Sequence, residues 1–340
     1  MDLSKPMGEV TFRVGPLVNL PSIARSLGVD TDAIFDDLGI DPVDYNDPDH
    51  RVSYLSIDRF IKRCVEESGC EHLGLLVGQK ALPSHLGLTG FLCRAAPSVE
   101  HALKTLVKNI DLHEEGGTLT LVSELEFVTL QYTVLVPGLR SMNQISELSV
   151  AFMHRLMQFL CGEEWRAAVV KLERREPADT KPYRQFFQAP VYYNSTESSV
   201  MISRECLSKK PPTADSYLYK YLLNEARVMH NLQQHELMDE LPAALRRGLL
   251  SERLSAHDIA EMFGIHERTL HRRLRDAGTT FREELDKARM DVSHQLLGNT
   301  NLPVSNIAMV LGYADSSGFI RAFRRWCGTC PSSWRNSIEK

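Results

Sequence analysis

Near the C-terminal end of the chain, one arrangement of apolar positions occurs twice. In the first copy Ile259, Ala260 and Phe263 mark the inner face of a short helix with Ser255 as its N-cap. Gly264 supplies a turn, and Leu270 and Leu274, one helical turn apart, mark a second helix from about His266 to Asp276. In the second copy Val304, Ile307, Ala308 and Leu311 lead to Gly312. Asp315 or Ser316 then caps a helix whose inner face is Phe319, Ala322, Phe323 and Trp326. Helix, glycine turn, helix is the grammar of a helix-turn-helix unit, and the chain carries two, over about 257–278 and 304–327. The segment TFREELDKARMDVSHQLLG between them predicts a helix with Leu285, Ala288, Val292 and Leu296 on one side. Seventeen or so residues at ~1.5 Å each span about 25 Å.

The same reading upstream gives a mixed pattern. PSIARSLGVD and DAIFDDLGID read as short helices closed by glycine, SYLSIDRFIKRCVEESG as an amphipathic helix, and SVEHALKTLVKNIDLH as another capped by Ser98. HLGLLVGQKALPSHLGLTGFLCRAA, apolar and rich in glycine, reads as one short helix and a tight loop. From Gly116 the period becomes two, and TLTLVSEL and FVTLQYTVLVPG predict a hairpin. NQISELSVAFMHRLMQFLCG is a strong helix; AAVVKLER, APVYYN and SVMISRE are short strands, with KPYRQFFQ a short helix. KKPPTAD is a turn-rich junction, followed by a helix over residues 216–238. The expected organisation is an α+β domain with a small antiparallel sheet (1–206) that controls, dimerises or positions the rest, a linker and bridging helix (207–239), and an all-α domain (240–338) with two helix-turn-helix units joined by a long helix.

Charge sharpens this division. The whole chain has a net charge of −5. Residues 241–340 carry 15 Lys/Arg against 11 Asp/Glu, a net of +4, and residues 1–240 carry 24 against 33, a net of −9. Within the basic part the arginines cluster. With Leu270 and Leu274 turned inward, a rotation of ~100° per residue sets Arg268, His271, Arg272 and Arg275 on the outer face. Ser317, Arg321 and Arg324 project likewise from the second unit, with Arg325 at their edge and Arg335 beyond. Arginine on an exposed helix face suits base edges and phosphates of double-stranded DNA. A solvated charged face explains an isolated Arg-rich helix equally well; the preceding helix, the turn glycine and the second copy favour DNA.

Seven scattered cysteines suit reduced thiols, and no stretch has the length of a membrane span or the apolar core of a secretory signal. A cytoplasmic protein is expected. Cys327-Gly-Thr-Cys330 has redox or zinc spacing but lacks a second pair, and His266 and His271 stand five apart where a helical zinc pair needs four. No metal, cofactor or enzymatic constellation is expected. His154, His230 and His235 read as ordinary helix residues. Arg94, His85, Tyr132, Arg140 and Tyr192 are polar groups near apolar stretches, and none is assigned to an effector pocket.

The segments DIAEMFGIHERTLHRRLRDAGTTFREEL and IAMVLGYADSSGFIRAFRRWCGTCPSSWR closely resemble the DNA-binding domain of the AraC/XylS family of bacterial transcription regulators. DPDHRVSYLSIDRFIKRCVEESG, HLGLTGFLCRAAPSVEHALKTLVKN and YRQFFQAPVYYN are similar to the arabinose-binding-type N-terminal domain of the branch that includes ornithine-utilisation regulators. The resemblance implies a transcription regulator, expected to be an activator that answers a small-molecule effector. It implies a homodimer on paired half-sites and RNA polymerase as a partner. The expected DNA-binding positions are His266, Glu267, Arg268, Thr269, His271, Arg272 and Arg275 in the first unit. In the second they are Ser316, Ser317, Ile320, Arg321, Arg324, Arg325 and Arg335. His266 stands where the family usually has a small serine, which implies a weaker cap. The more basic first unit is expected to read bases, and the second to lean on phosphate. A regulator whose N-terminal domain serves only dimerisation or a protein partner, and an enzyme with an appended DNA-binding domain, are the competing readings.

Overall fold

The computed structural model describes residues 10–136, 138–250, 254–299 and 302–338. Two compact units divide between His230 and Asn231.

The first unit opens with β1 (Thr11–Arg13), α1 (Leu20–Ser26), α2 (Thr31–Leu38), β2 (Arg51–Ser53), α3 (Tyr54–Ser68), α4 (Leu73–Lys80), α5 (Leu88–Ala95) and α6 (Val99–Asn109). The hairpin β3 (Gly117–Ser123) and β4 (Phe127–Val134) follows, then α7 (Met142–Cys161), β5 (Val169–Lys171), α8 (Lys181–Phe187), β6 (Val191–Tyr192) and β7 (Ser198–Ser203). The strands β3-β4-β7-β5-β6 form one sheet. It is antiparallel, as expected, except for its last pair, where β6 runs parallel to β5. Leu119 faces Tyr132 and Leu130 faces Val200 across the ladder, so the apolar alternation fixes the register. A separate ribbon of β1 and β2 had no counterpart in the sequence pattern, because three residues are too few to show a period.

Helix α7 is the central element, buried on almost every side, with Ile145, Leu148, Phe152 and Leu156 in the core. Against it lies α4, a short helix as expected in the glycine-rich stretch. Gly74 and Gly78 stand one turn apart on α4, and a β-carbon on either would run into the α7 backbone at Gln144 or Leu148. The glycines serve a close helix–helix approach. The rest of the stretch holds α5 as a second helix.

Helix α9 (Ser216–Leu250) is longer than the pattern predicted. It runs on through Pro242, which removes one backbone donor. Leu237, Leu241, Leu245 and Leu249, each four residues after the last, are buried and carry the helix past it. The turn-rich junction belongs to the first unit: the Lys209 carbonyl accepts from Val99 N–H, and Thr213 Oγ1 donates to the Arg94 carbonyl at 2.7 Å. The unit continues along α9 to His230. Tyr219 bonds Thr105 at 2.6 Å, and Leu222, Leu223 and Ala226 pack with Leu92 and Leu112. The expected linker of 207–239 therefore falls within one continuous helix and its approach.

The second unit holds the end of α9, then α10 (Ala256–Met262), α11 (Glu267–Asp276), α12 (Phe281–Asn299), α13 (Val304–Val310), α14 (Ser316–Cys327) and α15 (Pro331–Ile338). Its core joins Leu241 and Leu245 of α9 to Ile259, Leu270, Leu274, Leu285, Val292, Ile307, Phe319 and Phe323. Arg253 and the side chain of His235 lie outside the described residues.

Candidate nucleic-acid interface

The two helix-turn-helix units are built alike down to their turns. Ser255 caps α10 in a reciprocal pair: its Oγ accepts from Asp258 N–H, and Asp258 Oδ2 accepts from Ser255 N–H, both at 3.0 Å. At the far end the chain leaves through Gly264 at φ +61°, and α13 leaves through Gly312 at φ +74°. Each glycine sits in the left-handed conformation that glycine tolerates best. In both units the residue after the glycine donates back to a helix alanine at 3.0 Å, Ile265 to Ala260 and Tyr313 to Ala308. That bond spends a carbonyl the helix end would otherwise leave bare.

The outward helices begin differently. His266 caps α11, its Nδ1 accepting the Arg268 N–H at 3.1 Å. The weaker cap expected from its size is instead a side-chain cap formed by the ring. Partial burial lowers the His266 pKa, which favours the neutral ring that can accept. Asp315 caps α14, accepting from Gly318 N–H at 2.7 Å. Ala314 makes this second turn one residue longer.

Beyond the caps the two helices present matching faces. Leu270 and Leu274 are fully buried, as are Phe319 and Phe323 at the corresponding places. Arg268, His271 and Arg275 are exposed, with His266, Glu267, Thr269 and Arg272 half-buried. Ser317, Arg321, Arg324 and Arg325 are exposed, with Ser316 and Ile320 half-buried. Positions 268, 272 and 275 therefore match 317, 321 and 324 within one ~60° sector of each helix.

Three arginines have more specific attachments. Arg325 reaches Asp286 of α12 at 2.6 Å. Arg335 donates to the carbonyls of Leu297 and Leu302 at 3.2 and 2.8 Å, tying α15 to the end of α12. That bonding turns part of its guanidinium inward, away from the outward role expected of it. Arg273, adjacent to Arg272, donates to Gln233 of α9 at 3.2 Å. His271 pairs with Glu267 at 3.4 Å, which moderates the positive charge of the first face.

Helix α12 holds the units in one body. Thr280 and Glu283 cap it reciprocally, and Leu285, Ala288 and Val292 are buried. Leu297 joins them, while Leu296 is only half-buried. Arg289 donates to the Leu311 carbonyl at 2.9 Å and lies over the Tyr313 ring, bracing the second turn. Trp334 stacks on His294 with ring centroids 4.6 Å apart. Cys327 and Cys330 have separate partners, His294 at 3.2 Å and Ser333 at 3.0 Å. Sequence reasoning named neither Asp286 nor Gln233; both lie on helices whose polar positions carry no distinctive spacing.

This pair of helix-turn-helix units on a shared helix defines a DNA-binding transcription regulator. Residues 28–211 match the arabinose-binding domain of AraC transcription regulators (N-terminal), and residues 259–337 match a helix-turn-helix domain. The chain belongs to the AraC family. It is 26% identical over 321 residues to the ornithine utilization regulator of Pseudomonas aeruginosa, covering 94% of each chain. It is 25% identical to the regulator VirS of Mycobacterium tuberculosis, over 95% of this chain and 96% of that one. With the regulator VqsM of Pseudomonas aeruginosa it shares 32% identity over 274 residues, 78% of this chain and 84% of the other. No described helix is long and apolar enough to cross a membrane.

Proposed function

We propose that the regulator binds a promoter operator as a homodimer in the bacterial cytoplasm, activates transcription with RNA polymerase, and answers a small molecule held by its first unit. The chain acts by binding and not as an enzyme. The observation that carries the reading is the matched pair of outward faces, Arg268, Arg272 and Arg275 against Ser317, Arg321 and Arg324. Recognition helices about one turn of DNA apart, roughly 34 Å, enter successive major-groove faces. Helix α12, 19 residues and so about 28 Å long, is of that order. His266, Glu267, Thr269, His271, Ser316 and Ile320 flank the arginines and complete the readout. Arg325, at the edge of the second face, reaches phosphate when it leaves Asp286.

A dimer is supported by α9. Tyr217, Tyr221 and Val228 are exposed by 88%, 61% and 45% and lie within about 40° of one another around the helix. Such an apolar stripe suits the same stripe of a second copy.

Selection of duplexes from a random DNA pool with the full chain tests the reading. Enrichment of a sequence with two related half-sites is the expected result. Recovery of no preferred sequence, with the chain folded, would refute it.

A further inference from the structure

The first unit has a pocket between α3, α6, α7 and the β3–β4 hairpin. Its wall is apolar, drawn from residues such as Leu106, Leu119, Ile145, Leu148 and Phe152. No Lys or Arg is among the lining residues. At one corner the polar groups converge. Tyr54 and Tyr132 both hydrogen-bond Glu114 Oε2, Tyr132 at 2.8 Å, and their hydroxyls lie 3.3 Å apart. Gly117 makes room for this corner, since a β-carbon there would strike Glu114 and Tyr132. Burial raises the Glu114 pKa, and the two tyrosine hydroxyls oppose that shift.

Beside Glu114 stands His113, 4% exposed, whose Nδ1 has no hydrogen-bond partner among the described residues. A buried ring nitrogen without a partner carries a desolvation cost that a bound polar group would remove. Burial, with the nearby charges of Arg13 and Arg51, pushes the His113 pKa down to about 3, so the ring itself is neutral near pH 7 and is not the cation for an anionic ligand. A sugar fits poorly, because most of its hydroxyls would face hydrocarbon without partners.

We propose that this cavity is the effector site and takes a mainly apolar molecule bearing one hydrogen-bond-donor head, a hydroxyl or an ammonium, seated at Glu114 and His113. This rests on the effector-responsive reading above. An apolar wall with a few convergent polar groups is the usual chemistry of small-molecule pockets. The donor head meets Glu114 on the side not taken by the tyrosines, and the apolar body fills the space toward Ile145 and Phe152.

The test uses the full chain with three homologous series of six to ten carbons: 1-alkanols, alkylamines and alkanoic acids. A ligand bound to the native state alone raises the melting temperature in a saturable way. Alkanols or alkylamines are expected to raise it and alkanoates to be at least tenfold weaker. Leu148→Trp, which fills the cavity, should abolish the rise. Leu119→Phe, a milder filling, should weaken it if the tryptophan variant does not fold. Glu114→Gln should weaken the amines more than the alcohols. Alkanoates binding as well as alkanols, or a rise unaffected by both filling variants, would overturn the assignment. So would no rise with any series while the chain still binds its selected duplex, an outcome that leaves DNA binding standing. A saturable rise without change in DNA affinity would keep the site and remove its role as effector site.

Discussion

The ring Nδ1 of His266 accepts the backbone N–H of Arg268 at 3.1 Å, so the cap of α11 and its first exposed arginine are joined by one hydrogen bond. Loss of the cap in His266→Ala should cost about 1 kcal/mol of stability, and His266→Ser should restore most of it. The bond needs a neutral ring, and the folded-state pKa of His266 is depressed below the ordinary 6.5. Its contribution is therefore complete above about pH 6.5 and is lost as pH falls through the lowered value. Urea unfolding of wild type and His266→Ser between pH 7.5 and 5 checks this: the gap between them should change in favour of the serine variant at low pH.

The arginines separate into two experimental classes. Arg268→Ala and Arg321→Ala should each weaken operator binding by about 1–3 kcal/mol and leave the melting temperature unchanged, if they read bases. Arg273→Ala and Arg335→Ala remove bonds to Gln233 and to the Leu297 and Leu302 carbonyls. Those variants should lower the melting temperature first. Gel-shift titration beside thermal unfolding separates the classes; an Arg335→Ala chain of full stability and weak DNA affinity would move Arg335 to the reading group.

Asp286 restrains Arg325. Asp286→Asn should release that guanidinium toward phosphate and make the logarithm of affinity fall more steeply with the logarithm of salt concentration, by up to about one unit of slope. An unchanged slope would mean that Arg325 does not reach the backbone.

Gly74 and Gly78 should tolerate no side chain. Alanine at either forces α4 away from α7 and should destabilise the first unit by about 1–3 kcal/mol, read by denaturant titration. Stability within a few tenths of wild type would mean that the helices separate without cost.

His154 gives the opposite sign. Both its ring nitrogens lack partners among the described residues, and the ring lies against Trp165, Phe186 and Phe187. Burial lowers its pKa to about 4. As a depressed base it favours the fold above about pH 6.5 and weakens it as pH falls toward 4. His154→Phe should add about 1 kcal/mol at pH 7 and flatten that acid loss, measured by urea unfolding.

The repeated helix pattern was legible because its signals are local. Ser255, Gly264, Gly312 and the paired inward positions act within one or two turns. What the sequence did not disclose depends on distant partners. The close approach made by Gly74 and Gly78 has no signal in the sequence until α7 is laid beside them. DLHEEGG carries no apolar pattern of its own, yet it delivers His113 and Glu114 to the wall of an apolar pocket, because burial follows from the helices folded over it. Of the polar groups near apolar stretches, Tyr132 lines that cavity, whereas Arg94 lies over Phe91 and Phe159, and Tyr192 is largely exposed.

Arg272 and Arg273 are neighbours of the same type, Arg272 beside the outer face and Arg273 bonded to Gln233, and the difference bears on how related chains are compared. A register error of one residue in this helix leaves its composition and its charge untouched while exchanging the arginine beside the outer face for the one bonded to Gln233. Charge is a poor witness of register here. Leu270 and Leu274 are the reliable markers, because a slip of one residue would turn both of them to water.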